Sequence, residues 1–169
     1  HLARQQERTT LACAALGEVV GMDSVPRRIE GYDISNTQGV LSVASMVVFI
    51  DGVPAKKEYR HFRIKTVEGA NDFASMKEVL LRRFERLKAD DGVFGKTPDL
   101  IVVDGGLGQL EYARQAMEES GVNIQLISLA EKFEWVHTLG TSEPTILPRN
   151  SFALNLLVNI RDEAHRFAI

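Results

Sequence analysis

The run Asp99-Leu100-Ile101-Val102-Val103-Asp104, with Gly105-Gly106-Leu107-Gly108 directly behind it, constrains this chain more than any other segment. Consecutive apolar residues closed by an acid fit a strand buried on both faces, the habit of parallel strands covered by helices on each side. The glycines turn the chain and open a helix through Glu119, which Gly121 ends. An α/β architecture follows, and the remaining segments must supply that strand's neighbours.

Residues 28–35 alternate well enough for a first strand, and 42–50 form a strongly apolar second one. Asn36-Thr37-Gln38-Gly39 is turn chemistry between them, and Asp51-Gly52 is a hairpin signal leading to a third strand around 57–64. The three read as an antiparallel meander. Residues 5–20, rich in Ala and Leu, predict a helix ahead of it. After the meander, Asn71-Asp72 can cap a long helix in which Phe73, Met76, Val79, Leu80, Phe84 and Leu87 recur at three- and four-residue intervals. A further apolar strand covers 124–129, and an irregular stretch holds Trp135, His137 and Pro144, with a packing role expected for the first two. Asn150-Ser151 then caps a last helix through at least Arg166. Crossover rules let the fourth strand lie beside the first, giving a mixed five-stranded sheet with helices on both faces. Residues 1–25 read as an N-terminal helical lead-in and 26–169 as the domain proper.

Composition narrows the function classes. One cysteine in 169 residues, Cys13, excludes an internal disulfide framework and a cysteine-based zinc cluster, and predicts a buried thiol in a reducing compartment. No window approaches the ~20 apolar residues needed to cross a bilayer, and the N-terminus lacks a signal-peptide pattern, so a cytoplasmic protein without membrane contact is expected. Twenty Lys and Arg against 23 Asp and Glu leave a net charge of −3, no global field to capture nucleic acid. The apolar helical pattern running to Phe167-Ala168-Ile169 predicts a piece of a longer chain.

The candidate chemistry sits at strand ends. Asp33 is expected at or near the end of the first strand and Asp104 at the end of the fourth; if these are neighbours, two carboxylates meet in the crevice where open α/β sheets bind ligands. Such a pair repels unless it shares a proton or a cation, and its hard oxygens suit Mg²⁺ or Mn²⁺. Taken singly, either acid is as well read as a cap of the following loop or helix. His165, four residues after Arg161 on the last helix, can complete a metal site or move a proton, or equally stabilise its own helix C-terminus. Glu78 is a weaker candidate for a further acid, since Arg82 one turn on offers it an ordinary ion pair. Glu30, three residues from Asp33, is left out by strand parity.

The segments Arg27-Arg28-Ile29-Glu30-Gly31-Tyr32-Asp33-Ile34-Ser35 and Val103-Asp104-Gly105-Gly106-Leu107-Gly108-Gln109 belong to one pattern. With Leu147-Pro148-Arg149-Asn150-Ser151 and Ile160-Arg161-Asp162-Glu163-Ala164-His165-Arg166-Phe167-Ala168-Ile169, they closely resemble the C-terminal endonuclease domain of the UvrC family, from about Gly17 onward. The resemblance implies an RNase H-like fold, an endonuclease making the 5′ incision beside a DNA lesion in nucleotide excision repair, and catalytic and metal roles for Asp33, Asp104 and His165. It implies as partners damaged double-stranded DNA and a UvrB–DNA complex reached through other parts of a full-length protein. The chain departs from the family where Asn36 replaces a frequent histidine and Leu107 a frequent lysine. A catalytically idle RNase H-like module that only docks nucleic acid or protein stays open, because fold alone does not fix activity.

Among the remaining cations, Lys132 and Arg149 follow a strand end and precede a helix cap near the crevice, and Arg161 and Arg166 flank His165; these four are the candidate DNA contacts. Ser35, Asn36 and Gln38 continue from Asp33 and are further polar candidates. The glycine loop lacks both the P-loop lysine and dinucleotide spacing, and reads as a tight turn that exposes Asp104. Lys56, Lys57, Arg60, His61, Arg63 and Lys65 make the third strand basic, in the manner of a protected sheet edge.

Overall fold

The computed structural model describes residues 2–37, 41–65 and 71–168. Helix α1 (Leu2–Val20) leads into β1 (Arg28–Thr37) and β2 (Leu41–Ile50), then the short β3 (Val53–Pro54) and β4 (Arg60–Arg63). Next come α2 (Asp72–Lys88), β5 (Leu100–Asp104), α3 (Leu107–Ser120), β6 (Gln125–Ala130), β7 (Trp135–Thr138) and α4 (Phe152–Ala168). One sheet runs β3-β2-β1-β5-β6-β7, with β4 also paired to β2. The β1–β5 and β5–β6 pairs are parallel and the rest antiparallel.

Among the described residues the sheet therefore has seven strands where five were expected. The third strand is split: Pro54 ends β3 and Lys56–Glu58 form a 3-10 turn, so β4 starts only at Arg60. The stretch holding Trp135 is not wholly irregular, because Trp135–Thr138 folds back antiparallel on β6. Four residues are too few for alternation to stand out, and this strand exists by virtue of the edge it pairs with.

Strand parity sorts the two layers. Glu30 and Tyr32 point toward α2, while Gly31 and Asp33 point toward α4. Helix α4 packs on β1 and β2 with α1 against it, burying Ala12, Cys13, Leu16, Leu157 and Ile160. On the other side α2 and α3 pack on each other and on the sheet through Met76, Val79, Leu80, Leu110 and Ala113. A β-carbon on Gly31 would sit 2.4 Å from Cγ2 of Ile160, so a residue without a side chain is what lets α4 lie this close to β1.

The two acids that bracket the β5 run do different work. Oδ2 of Asp99 accepts the backbone N–H groups of Arg27 and Arg28, both at 2.9 Å, which ties the start of β1 to the start of β5. The register that follows pairs Ile29 with Leu100 and ends at Tyr32 with Val103. On the α2 face, Glu30 is fully buried and ion-paired to Arg83 at 2.8 Å and Arg28 at 3.1 Å, and it accepts the Tyr32 hydroxyl at 2.7 Å. Arg83 also donates to the carbonyls of Phe94 and Lys96, so every charge in this network has a partner, the condition for tolerating it inside a fold.

Candidate metal centre

Asp33 is the residue after Tyr32, and Asp104 the residue after Val103, so the β1–β5 register sets the two carboxylates side by side on the α4 face. Asp33 is not at the end of its strand, which continues to Thr37 against β2. What ends at Tyr32 is the pairing with β5, and that opens the corner. His165 reaches the same corner from the last turns of α4, its Nδ1 3.1 Å from Oδ2 of Asp33. One ligand atom from each of Asp33, Asp104 and His165 lies within 4.8 Å of the others. Asp33 is buried, Asp104 partly so, and His165 exposed, which makes the corner open on one side only.

Electrostatics match that geometry. Burial, the neighbouring Asp33 carboxylate with its shared hydrogen bond, and Glu131 push the Asp104 carboxyl up to about 7, with Arg161 opposing them. Two oxygen donors that cannot comfortably both ionise, with an imidazole beside them, form a donor set suited to a hard divalent cation.

A cross-strand row supports the imidazole. Ser45 on β2 pairs with Asp33, and His61 on β4 pairs with Ser45, so all three face α4. The buried Ser45 hydroxyl donates to the carbonyl of Ala164, next to His165, at 2.7 Å. Nε2 of His61 is 2.6 Å from the carbonyl oxygen of Phe167, and its ring stacks on Phe167 with centroids 4.0 Å apart. Tyr59 donates to Glu163 at 2.7 Å and meets Phe167 edge-on. These contacts pin the end of α4 on both sides of His165. Ser45 carries no motif and His61 reads as one of the edge charges; the available signal is a hydroxyl in the middle of the apolar run 41–50, though its partner 119 positions away is a matter of tertiary structure.

The other candidates are placed as follows. Arg161 lies beside Asp104, lining the same small cavity, and pairs with Glu134 at 3.1 Å and Asp162 at 3.4 Å. Arg166 is exposed and paired with Glu163. Lys132 is exposed in the β6–β7 turn, and Arg149 is exposed in the turn before α4. Glu78 sits on α2, across the sheet from α4, where it accepts the backbone N–H of Lys65 at 2.8 Å and pairs with Arg82. Leu107 is the first residue of α3 and 45% exposed. The side chain of Asn36 and all of Gln38 lie outside the described residues.

Comparison with known proteins bears on the whole chain. Residues 17–169 match the family model of the UvrC RNase H endonuclease domain. The chain is 51% identical over 167 residues to the UvrABC system protein C of Moorella thermoacetica, covering 98% of this chain and 27% of that protein. It is 49% identical to the namesake of Dehalococcoides mccartyi, covering 95% and 27%. With the Methanococcoides burtonii protein it shares 45% identity, covering 100% and 28%. The chain thus spans little more than a quarter of these relatives. Among solved structures, human endonuclease V (ENDOV) superposes with a TM-score of 0.50 at 13% identity, covering 86% of this chain and 84% of that one, a likeness of fold alone.

Proposed function

Because the chain belongs to the UvrC RNase H endonuclease domain family, we propose that it is a divalent-metal-dependent endodeoxyribonuclease domain that makes the 5′ incision beside a lesion in UvrABC excision repair. The observation that carries this reading is the convergence of Asp33, Asp104 and His165 from three different elements onto one half-open corner. A module kept only for docking has no need to hold two repelling carboxylates together on the buried side of a helix. Residues 1–25 are taken as a helical lead-in and 26–169 as the nuclease domain.

Asp33 and Asp104 offer oxygen donors and His165 a ring nitrogen, a set that fits Mg²⁺ or Mn²⁺. Bound there, such an ion would supply Lewis-acid polarisation of the scissile phosphate and a more acidic water. The protein's own work is positional. The Asp33–His165 hydrogen bond keeps the imidazole turned into the corner, and Ser45 and His61 hold the backbone on either side of it. Lys132, Arg149, Arg161 and Arg166 are the proposed phosphate contacts; they fix position without reading sequence, as repair at arbitrary sites requires. With a net charge of −3, delivery to damaged double-stranded DNA falls to other parts of a full-length protein acting with a UvrB–DNA complex.

The test is incision of a lesion-bearing duplex by a full-length UvrC-type protein carrying this segment, with the other UvrABC components and Mn²⁺. The 5′ cut is expected to vanish with Asp33→Ala while the fold, followed by circular dichroism, persists. A 5′ cut retained by that variant refutes the assignment and favours the docking module.

A further inference from the structure

We propose that the turn between β6 and β7, residues 131–134, is a stacking tip that receives a nucleobase of the strand being cut, next to the scissile phosphate. The proposal rests on the nuclease reading and adds a ligand contact to it. Strand β6 runs parallel to β5 with Leu129 beside Asp104, and Ala130 extends one residue further, so the turn projects past the same edge of the sheet as the metal corner. It is also tied to that corner. Glu134 pairs with Arg161, one helical turn before His165.

At this tip the chain exposes an aromatic ring that its own core does not need. Phe133 is 60% exposed even though it stacks on Trp135, with centroids 5.2 Å apart and planes at 28°. The Lys132 ammonium lies over the Phe133 ring, 5.2 Å from its centre. A supported ring with a cation beside it is the arrangement that binds single-stranded nucleic acid without sequence preference, because every base offers a π-face and every base carries a phosphate. Lys132, long and exposed, can swing off the ring onto that phosphate as the base takes its place on Phe133. A protein partner would require a broad apolar area, whereas residues 131–134 expose a single aromatic ring beside Lys132.

The chain supplies its own probe, since Trp135 is its single tryptophan. A short single-stranded oligodeoxynucleotide titrated into the 169-residue chain at low ionic strength with EDTA is expected to quench Trp135 emission saturably. Phe133→Ala is expected to weaken binding about tenfold, from the usual worth of one stacked base, and Phe133→Tyr to restore it. An oligonucleotide made abasic throughout is expected to bind the wild type no better than it binds Phe133→Ala. Because Phe133 is exposed, these variants keep the core, which unchanged far-ultraviolet circular dichroism verifies. Absence of quenching in the wild type, binding by Phe133→Ala within twofold of wild type, or equal affinity for the abasic and base-bearing strands would each overturn the proposal. All three readouts are taken without metal or cleavage, so failure of the nuclease reading shows separately, as loss of Mn²⁺-dependent incision with stacking intact.

Discussion

Replacing Asp104 by asparagine is expected to stabilise the metal-free protein at pH 8. The Asp104 carboxyl, 3.8 in an open chain, is raised to about 7 in the folded corner, chiefly by burial and by Asp33. Between those values the native state retains a proton that the unfolded state has released, so the unfolded state binds fewer protons and stability falls as pH rises from about 4 to 7. A three-unit displacement at 1.36 kcal/mol per unit sets a ceiling of about 4 kcal/mol. One side of the corner is open to water, which screens these charges, so about 2–3 kcal/mol is the expected loss. The assay is urea unfolding of the chain at half-unit steps from pH 4.5 to 8 with a chelator present. The wild type is expected to lose stability across this window and Asp104→Asn to stay nearly flat, the two curves meeting near pH 4.5. Manganese at pH 8 is expected to restore wild-type stability and leave the variant much less affected, since ligand binding to the native state alone adds stability by mass action. Parallel pH slopes for the two proteins would refute the account of a strained carboxylate pair.

Three further substitutions test the architecture around that corner. Ser45→Ala leaves the Ala164 carbonyl without its buried donor and is expected to cost about 1–3 kcal/mol; urea melts give the value, and Mn²⁺ titration should show weakened binding through a looser His165. Gly31→Ala drives a methyl group into Ile160 and is expected to cost about 1–3 kcal/mol by overpacking, with a non-additive double mutant cycle against Ile160→Ala as the check. Arg83→Met leaves the buried Glu30 carboxylate only Arg28 and Tyr32 as partners and is expected to destabilise by about 3 kcal/mol, the low end for breaking a buried pair, whereas simultaneous Glu30→Gln should recover part of that loss in thermal melts.

Much of this was legible wherever a local pattern spoke for a nonlocal one. The run ending at Asp104 marked a doubly covered strand because its neighbours on both faces must be apolar, and that placed the acid at the carboxyl end of a central strand. Asp33 could be paired with it because topology leaves few places for the first strand, although its exact setting, mid-strand and one residue past the β5 pairing, depends on the clamp Asp99 makes with Arg27 and Arg28. His165 stood out within a helix whose apolar face was already assigned. The edges were harder to read. β7 has too few residues for a period, and β4 is delayed by a turn that Pro54 and its neighbours create. Ser45 and His61 were hidden for a different reason: each looks ordinary in its own strand, and only cross-strand register aligns them beneath α4.

The row of Asp33, Ser45 and His61 bears on when the proposed activity can first arise during synthesis. The imidazole is encoded 132 positions after the acid it contacts, on a helix that follows all of the described strands. A nascent polypeptide, or one clipped before residue 152, holds both acids and lacks the third member along with everything Ser45 and His61 grip. In a domain built this way the proposed metal corner exists only once α4 has docked, so completeness of the fold would act as a safety catch on the proposed activity.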